Sequence, residues 1–293
     1  MNPPDLGLLL DVDGPVASPV TRTIAIGSIA RDLVDLVAAG VPIAFITGRS
    51  HEFIADVVIP ALQDVGLRDA LLKPGARMFG VFEKGGAWST IDADGMSEPT
   101  IDQTVALGAD AVDAIRDLVE RRFADTMFFD ETKRAMISVE QRTDVGTEDY
   151  RPAQQELQDE AFRILTAQGV GLRYAEQSVA DADGAVPFRI DPTVISTDIE
   201  SIRLDKDHAA QRALEHFRAH GPMPRRWLSV GDSRSDYLMA DQLHAEGFDT
   251  AHLDVRPGDG MLERPYPVLT EDDLIHDEAF AAHLTGITAE LGV

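Results

Sequence analysis

Three short apolar runs in this chain each break off on acidic, hydroxylic or glycine residues. Leu8-Leu9-Leu10 runs into Asp11-Val12-Asp13-Gly14, and Val41-Pro42-Ile43-Ala44-Phe45-Ile46 runs into Thr47-Gly48-Arg49. Trp227-Leu228-Ser229-Val230 runs into Gly231-Asp232-Ser233-Arg234-Ser235-Asp236. Apolar runs of this length, without polar alternation, suit strands buried on both faces, as in a parallel sheet covered by helices. Helical patterns separate them. Ile29 to Val37 repeats apolar residues at helical spacing and stops at Gly40; Phe53 to Val65 contains a Pro60 that kinks or divides it. Lys206 to His220 ends on Gly221-Pro222, and Ser235 to Ala245 ends on Gly247. The alternation predicts an α/β protein with a doubly wound, parallel Rossmann-like sheet. Ligands of such sheets lie beyond the carboxyl ends of the strands. Asp11, Asp13, Thr47, Gly48, Asp232 and Asp236 are therefore expected at one edge, joined by Lys206 at the start of its helix.

The stretch from Arg49 to Lys206 is far longer than one strand–helix unit needs. It carries helical patterns at Val105 to Arg122 and Tyr150 to Gln168, and strand-like pieces at 78–82, 135–139, 171–174 and 186–190. Mixed signals with polar, Asp-Gly-rich joints predict an inserted α+β domain over 83–198, between a first core part, 1–82, and a second, 199–293. Ala251 to Val255 suits one more strand, and Glu271 to Leu291 a terminal helical stretch. A chain of 293 residues, 44% of them hydrophobic, can fill two cores. Its formal charge of −25 argues against nucleic acid or an anionic membrane as partner, but not against a small anion held in a cleft with a cation. With no cysteine there is no thiolate metal site or cysteine nucleophile. The first residues lack a basic segment followed by an apolar one, and no run approaches the roughly 18 apolar residues of a membrane span. A cytoplasmic protein is expected; the oligomeric state is left open.

The string Asp-x-Asp-Gly occurs three times. Asp92-Ala93-Asp94-Gly95 and Asp181-Ala182-Asp183-Gly184 follow no strong buried strand and are expected to be turns. Neither continues as a calcium loop, because Gln103 and Pro192 stand where the closing glutamate belongs. Only Asp11-Val12-Asp13-Gly14 is aimed by a buried strand. The chemistry that wants this set is phosphoryl transfer through a carboxylate. Asp11, ionised near neutral pH, is a nucleophile that needs no neighbouring base. With Asp232 and Asp236 it offers hard oxygen ligands for Mg2+, which offsets repulsion between carboxylate and phosphate. Asp13 is placed to pass a proton to the leaving oxygen. Thr47 and the Gly48 N–H can donate to phosphate oxygens, and Lys206 adds a positive charge. Arg49 either stiffens its loop by pairing with an acid or meets the substrate. Lys84, in Glu83-Lys84-Gly85-Gly86, and the pair Lys133-Arg134 are candidates to grip the substrate, against a reading as solvated charge.

The order Asp-x-Asp-Gly, Thr-Gly-Arg, Lys and Gly-Asp-x-x-x-Asp resembles the haloacid dehalogenase-like superfamily of phosphatases. The resemblance implies Asp11 as the nucleophile of an aspartyl-phosphate and Asp13 as general acid and base. It makes Thr47 and Lys206 phosphate ligands, and puts Mg2+ on Asp11, Asp232 and the Asp13 carbonyl, with Asp236 binding it directly or through water. An insert after the Thr motif is similar to a C2 cap, and its modest length to the C2B caps of sugar-phosphate phosphatases. Such a cap closes over the substrate and selects its alcohol portion. Pro15 and Ser235 depart from the usual residues; the serine weakens a hydrogen bond to the metal shell. The implied activity is Mg2+-dependent hydrolysis of a small phosphorylated metabolite, a sugar phosphate or phosphorylated glycoside. The alternatives are a phosphosugar mutase of similar architecture and a catalytically silent binding or regulatory protein.

Overall fold

The computed structural model describes residues 5–293. By compactness the chain forms two units, one of residues up to Thr100 together with Asp205–Val293, the other Ile101–Leu204. In chain order the first stretch is β1 (Leu6–Leu10), α1 (Gly27–Ala38), β2 (Ile43–Ile46), α2 (His51–Phe53), α3 (Ile59–Gln63) and α4 (Leu67–Leu71). It continues through β3 (Met78–Phe82), β4 (Ala87–Asp92), β5 (Gly95–Met96) and β6 (Thr100–Ile101). The inserted unit holds α5 (Ala109–Arg122), β7 (Met127–Phe129), β8 (Ile137–Gln141), α6 (Thr147–Ala167), β9 (Leu172–Tyr174), β10 (Gln177–Val179), β11 (Phe188–Pro192) and β12 (Ser196–Ser201). The chain then runs α7 (Lys206–His220), β13 (Arg226–Gly231), α8 (Tyr237–Ala245), β14 (Asp249–Asp254), β15 (Val268–Leu269) and α9 (His276–Leu291).

The core sheet has the order β15-β14-β13-β1-β2-β3-β4-β5 and is parallel from β15 to β3. β1 lies between β13 and β2, and Leu8, Leu9 and Leu10 are wholly buried, as the unalternated run demands. Leu9, Phe79 and Trp227 share a cluster with Ala209, Ala213 and Phe217 of α7 and Met239 and Leu243 of α8. The expected parallel α/β architecture is therefore the observed one. Three of its details differ from the sequence reading. β4 pairs antiparallel with β3 and prolongs the core sheet, so the compact insert starts at Ile101 rather than near 83. The helix expected over 53–65 is helical over 51–63, with a π turn at Ile54–Val58 just before Pro60, whose missing N–H leaves the α ladder incomplete there. The terminal helix starts at His276, not at Glu271.

In the inserted unit a six-stranded sheet, β10-β9-β11-β12-β8-β7, packs against α5 and α6 through Ile115, Val119, Leu157, Leu165, Ile137 and Ile199. β12 escaped the sequence reading because its letters, Ser-Thr-Asp-Ile-Glu-Ser, are polar apart from Ile199, yet every residue of it is buried. Its polar groups are paired: Gln158 donates to Thr197 (3.0 Å), Ser138 donates to Asp198 (2.8 Å), and Arg189 donates to Glu200 (2.7 Å). No helix among the described residues is long and apolar enough to cross a membrane.

Candidate active site

The site starts where β1 leaves the sheet. The Asp11 N–H still donates to the Val230 carbonyl (2.9 Å), so strand pairing carries this carboxylate to the carboxyl edge, where it is 6% exposed. Three residues on, the chain turns through Gly14 at φ +98°. A Cβ there would lie 2.7 Å from Asp232 Oδ2, so glycine is required by both conformation and proximity. β13 ends in the same way: a Cβ on Gly231 would lie 2.1 Å from the Asp236 Cβ. Asp236 folds the loop after β13 around itself, accepting from the N–H of Asp232 (3.0 Å) and the N–H of Ser233 (2.9 Å).

Lys206 opens α7, with Asp205 capping the helix by accepting the Lys206 N–H (2.9 Å). Its ammonium reaches across the sheet edge to Asp11 (2.5 Å), to Asp236 (3.0 Å) and to the Ile46 carbonyl at the end of β2 (2.9 Å). Residues from four separate stretches thus share one buried cluster. Burial alone would lower the Lys206 pKa, but Asp11 and Asp236 outweigh it and hold the ammonium above its usual range. Asp11 is pushed well above the ordinary carboxylate range, first by burial and then by Asp236, against the pull of Lys206. Asp232 is raised too, by burial and Asp236, against Arg256 and His276. Burial would raise Asp236 as well, but Lys206 and the Ser233 donors reverse this and hold it low. So many acids in one low-dielectric spot make a site that attracts a cation.

At the end of β2, Thr47 is fully buried and its Oγ1 accepts the Arg49 N–H (2.9 Å). Arg49 grips Asp13 with two nitrogens, Nη2 to Oδ1 at 2.9 Å and Nε to Oδ2 at 3.1 Å. It therefore pairs with an acid, one of its two expected roles. Lys84 belongs to the core unit and not to the insert. Its N–H donates to the Thr47 carbonyl (3.1 Å), and that of Glu83 donates to the Arg49 carbonyl (3.1 Å). Lys133 and Arg134 lie between β7 and β8 of the inserted unit. Two neighbours of Asp232 had no signal in the sequence: His276 Nδ1 at 3.5 Å and Arg256 Nη1 at 3.8 Å from its Oδ2. His276 stands at φ +52°, an unfavourable conformation for a residue with a Cβ. Only the order of β14 and α9 in the fold brings it there.

Asp11, Asp232 and Asp236 each offer an oxygen within 4.8 Å of the others. Hard carboxylate oxygens at that spacing, two of them on groups raised by burial and by Asp236, fit Mg2+. A cavity of about 330 Å3 opens beside Asp232, lined by Tyr237, Asp254 and Arg256 among others. A larger one, about 610 Å3, lies between α9 and the amino ends of β1, β13 and β14, away from these acids.

No family model and no curated protein matches the chain. Solved structures do. The C-terminal domain of a trehalose-6-phosphate phosphatase from C. albicans aligns with a TM-score of 0.59 and 12% identity, over 98% of this chain and 93% of that one. A haloacid dehalogenase-like hydrolase from Bacteroides thetaiotaomicron aligns at 0.59 and 12%, over 96% and 98%. The sucrose-phosphatase of Synechocystis sp. PCC6803, solved with sucrose and phosphate, aligns at 0.50 and 15%, over 98% of each. Likeness of this extent shows the fold, which this chain shares with two sugar-phosphate phosphatases and a haloacid dehalogenase-like hydrolase.

Proposed function

We propose that this chain is a phosphomonoester hydrolase that works through an aspartyl-phosphate on Asp11, with Mg2+ as its ion and a small sugar phosphate as substrate. One observation carries the reading: the Asp11 carboxylate sits at a strand end against Lys206, ringed by Asp232 and Asp236, with Asp13 and Thr47 at the same edge.

Thr47 Oγ1, the Gly48 N–H and Lys206 hold the phosphoryl oxygens and orient phosphorus towards Asp11. An Asp11 oxygen attacks phosphorus in line, the bond from phosphorus to the alcohol oxygen breaks, and Asp13 gives that oxygen a proton. Asp13 then takes a proton from water, whose oxygen attacks the same phosphorus. The bond to Asp11 breaks, leaving inorganic phosphate and the original carboxylate. Asp13 faces Arg49 with both oxygens, so each proton transfer takes place on a carboxylate that the guanidinium also holds. When bound by Asp11, Asp232, Asp236 and the Asp13 carbonyl, Mg2+ offsets the repulsion between the attacking carboxylate and the phosphate dianion. Lys133 and Arg134 remain candidates for the alcohol portion.

The sugar-phosphate assignment is supported by the likeness to a trehalose-6-phosphate phosphatase and a sucrose-phosphatase. The test is phosphate release from p-nitrophenyl phosphate and from a panel of phosphorylated sugars, with and without Mg2+. Mg2+-dependent release is expected, highest with one sugar phosphate. A chain that isomerises a sugar phosphate without net release is a mutase, and one that turns over nothing in the panel contradicts the assignment.

A further inference from the structure

We propose that Lys84 is an additional ligand of the phosphoryl group, held over the Thr47-Gly48 loop by a strained backbone turn; this rests on the hydrolase reading above. Glu83, Lys84 and Gly85 are three successive residues with left-handed backbone, at φ +50°, +54° and +103°. The first two have a Cβ, which makes that conformation costly, and such strain persists only where surroundings over-determine it. Here they do. Thr47 and Arg49 take the N–H groups of Lys84 and Glu83 through their carbonyls, both at 3.1 Å. Arg212 Nε donates to the Gly85 carbonyl at 3.0 Å, and a Cβ on Gly85 would lie 2.7 Å from the His208 ring, so this position admits only glycine. The turn is thus tied to the phosphate loop on one side and to α7 on the other.

The result is the path of one side chain. A Cβ on Gly48 would lie 3.9 Å from both Cγ and Cε of Lys84, so the lysine stem runs along the residue whose N–H is assigned to phosphate. Its ammonium is one bond further on. A solvated lysine needs none of this, and an Asn or Gly would take the same backbone with less strain. The charge supplies the reason. A phosphate dianion arriving at Thr47 and Gly48 calls for positive charge beside that loop, and the Lys84 stem along Gly48 carries an ammonium there in addition to that of Lys206.

Calorimetric titration of inorganic phosphate into the Mg2+-supplemented protein tests this, with Lys84→Met, Lys84→Arg and Lys84→Gly. Lys84→Met is expected to weaken phosphate binding about tenfold or more, the loss of one charge-assisted contact, and Lys84→Arg to recover most of it. Lys84→Gly is expected to weaken phosphate equally while raising the Tm, because it removes the strain together with the charge. Unchanged phosphate affinity in Lys84→Met and Lys84→Gly would overturn the proposal and leave the hydrolase reading intact. So would weakened substrate KM with phosphate affinity unaltered, which would move Lys84 to the alcohol portion. If the unaltered protein itself fails to bind phosphate, the hydrolase reading falls first.

Discussion

Asp11-Val12-Asp13-Gly14 and Asp92-Ala93-Asp94-Gly95 follow the same four-letter pattern with opposite outcomes. At the second, Asp92 is exposed and its Oδ1 accepts the N–H of Asp94 (2.8 Å) as β4 turns into β5. The third copy does likewise, Asp181 Oδ1 accepting from Asp183 (3.0 Å) and Ala185 (2.8 Å). In both, the first carboxylate serves its own backbone, which is the ordinary use of aspartate in a turn. Asp11 has no such use: the strand pairing that carries it to the sheet edge aims it at Lys206 and leaves it buried among other acids. The glycines differ as well. Gly95 has open space around its missing Cβ, whereas Gly14 is pressed against Asp232. A turn motif becomes a candidate site when a buried strand delivers it into someone else's charge, and the identity of the letters decides little by itself.

The comparison can be broken most forcefully by three matched substitutions. Asp11→Asn is expected to cost on the order of a thousandfold or more in turnover of p-nitrophenyl phosphate, as loss of a nucleophile does. Asp92→Asn and Asp181→Asn should leave turnover within about twofold, a surface change away from the reacting atoms. Comparable losses in all three would mean that the buried copy is not special. Within the buried copy, Asp13→Asn should slow turnover by about a hundredfold to ten-thousandfold, the usual worth of a general acid and base, and let phosphoenzyme build up with the activated p-nitrophenolate leaving group.

Stability separates the copies at smaller scale. Acid titration must first be read against His252, a wholly buried residue bonded to Ser229 (2.7 Å), whose pKa burial lowers from 6.5 to about 4. Since the unfolded chain binds this proton first, the contribution of His252 is intact above pH 6.5 and is lost as pH falls towards 4. The loss amounts to roughly 3 kcal/mol. His252→Gln should flatten that fall in denaturant titrations; an unchanged slope would assign it elsewhere. At pH 7, Asp92→Ala and Asp181→Ala should each cost about 1 kcal/mol for the lost turn bonds. Asp11→Asn should have the opposite sign. Asp11 is raised in the folded state, so its ionised form is unfavourable there at neutral pH, and the neutral isostere relieves the crowding. A lower Tm for Asp11→Asn would remove the claim that this corner is built against its own stability.

Much of this frame is legible in the sequence because a parallel strand buried on both faces has to be apolar along its whole length. Leu8–Leu10 and Ile43–Ile46 satisfy that condition, and they end where the polar residues begin. β12 was invisible for the converse reason: its burial is offset by hydrogen bonds that only the folded partners, Gln158, Ser138 and Arg189, supply. The start of the insert was misplaced because Glu83-Lys84-Gly85-Gly86 looks like a domain joint, while the chain merely turns there and returns to the sheet as β4. His276 and Arg256 carry no motif, and their approach to Asp232 depends on β14 and α9 being in place. Arg49 was legible in kind, an arginine after a strand among acids, but not its two-pronged hold on Asp13.

Peptide mapping of Asp13→Asn protein, quenched in acid during turnover of p-nitrophenyl phosphate with Mg2+, tests the central claim most directly. A phosphoryl group is expected on the peptide that carries Asp11, sensitive to hydroxylamine as an acyl phosphate must be, and absent once Asp11 is also replaced by Asn. Label on any other residue, or its persistence without the Asp11 carboxylate, would contradict the account.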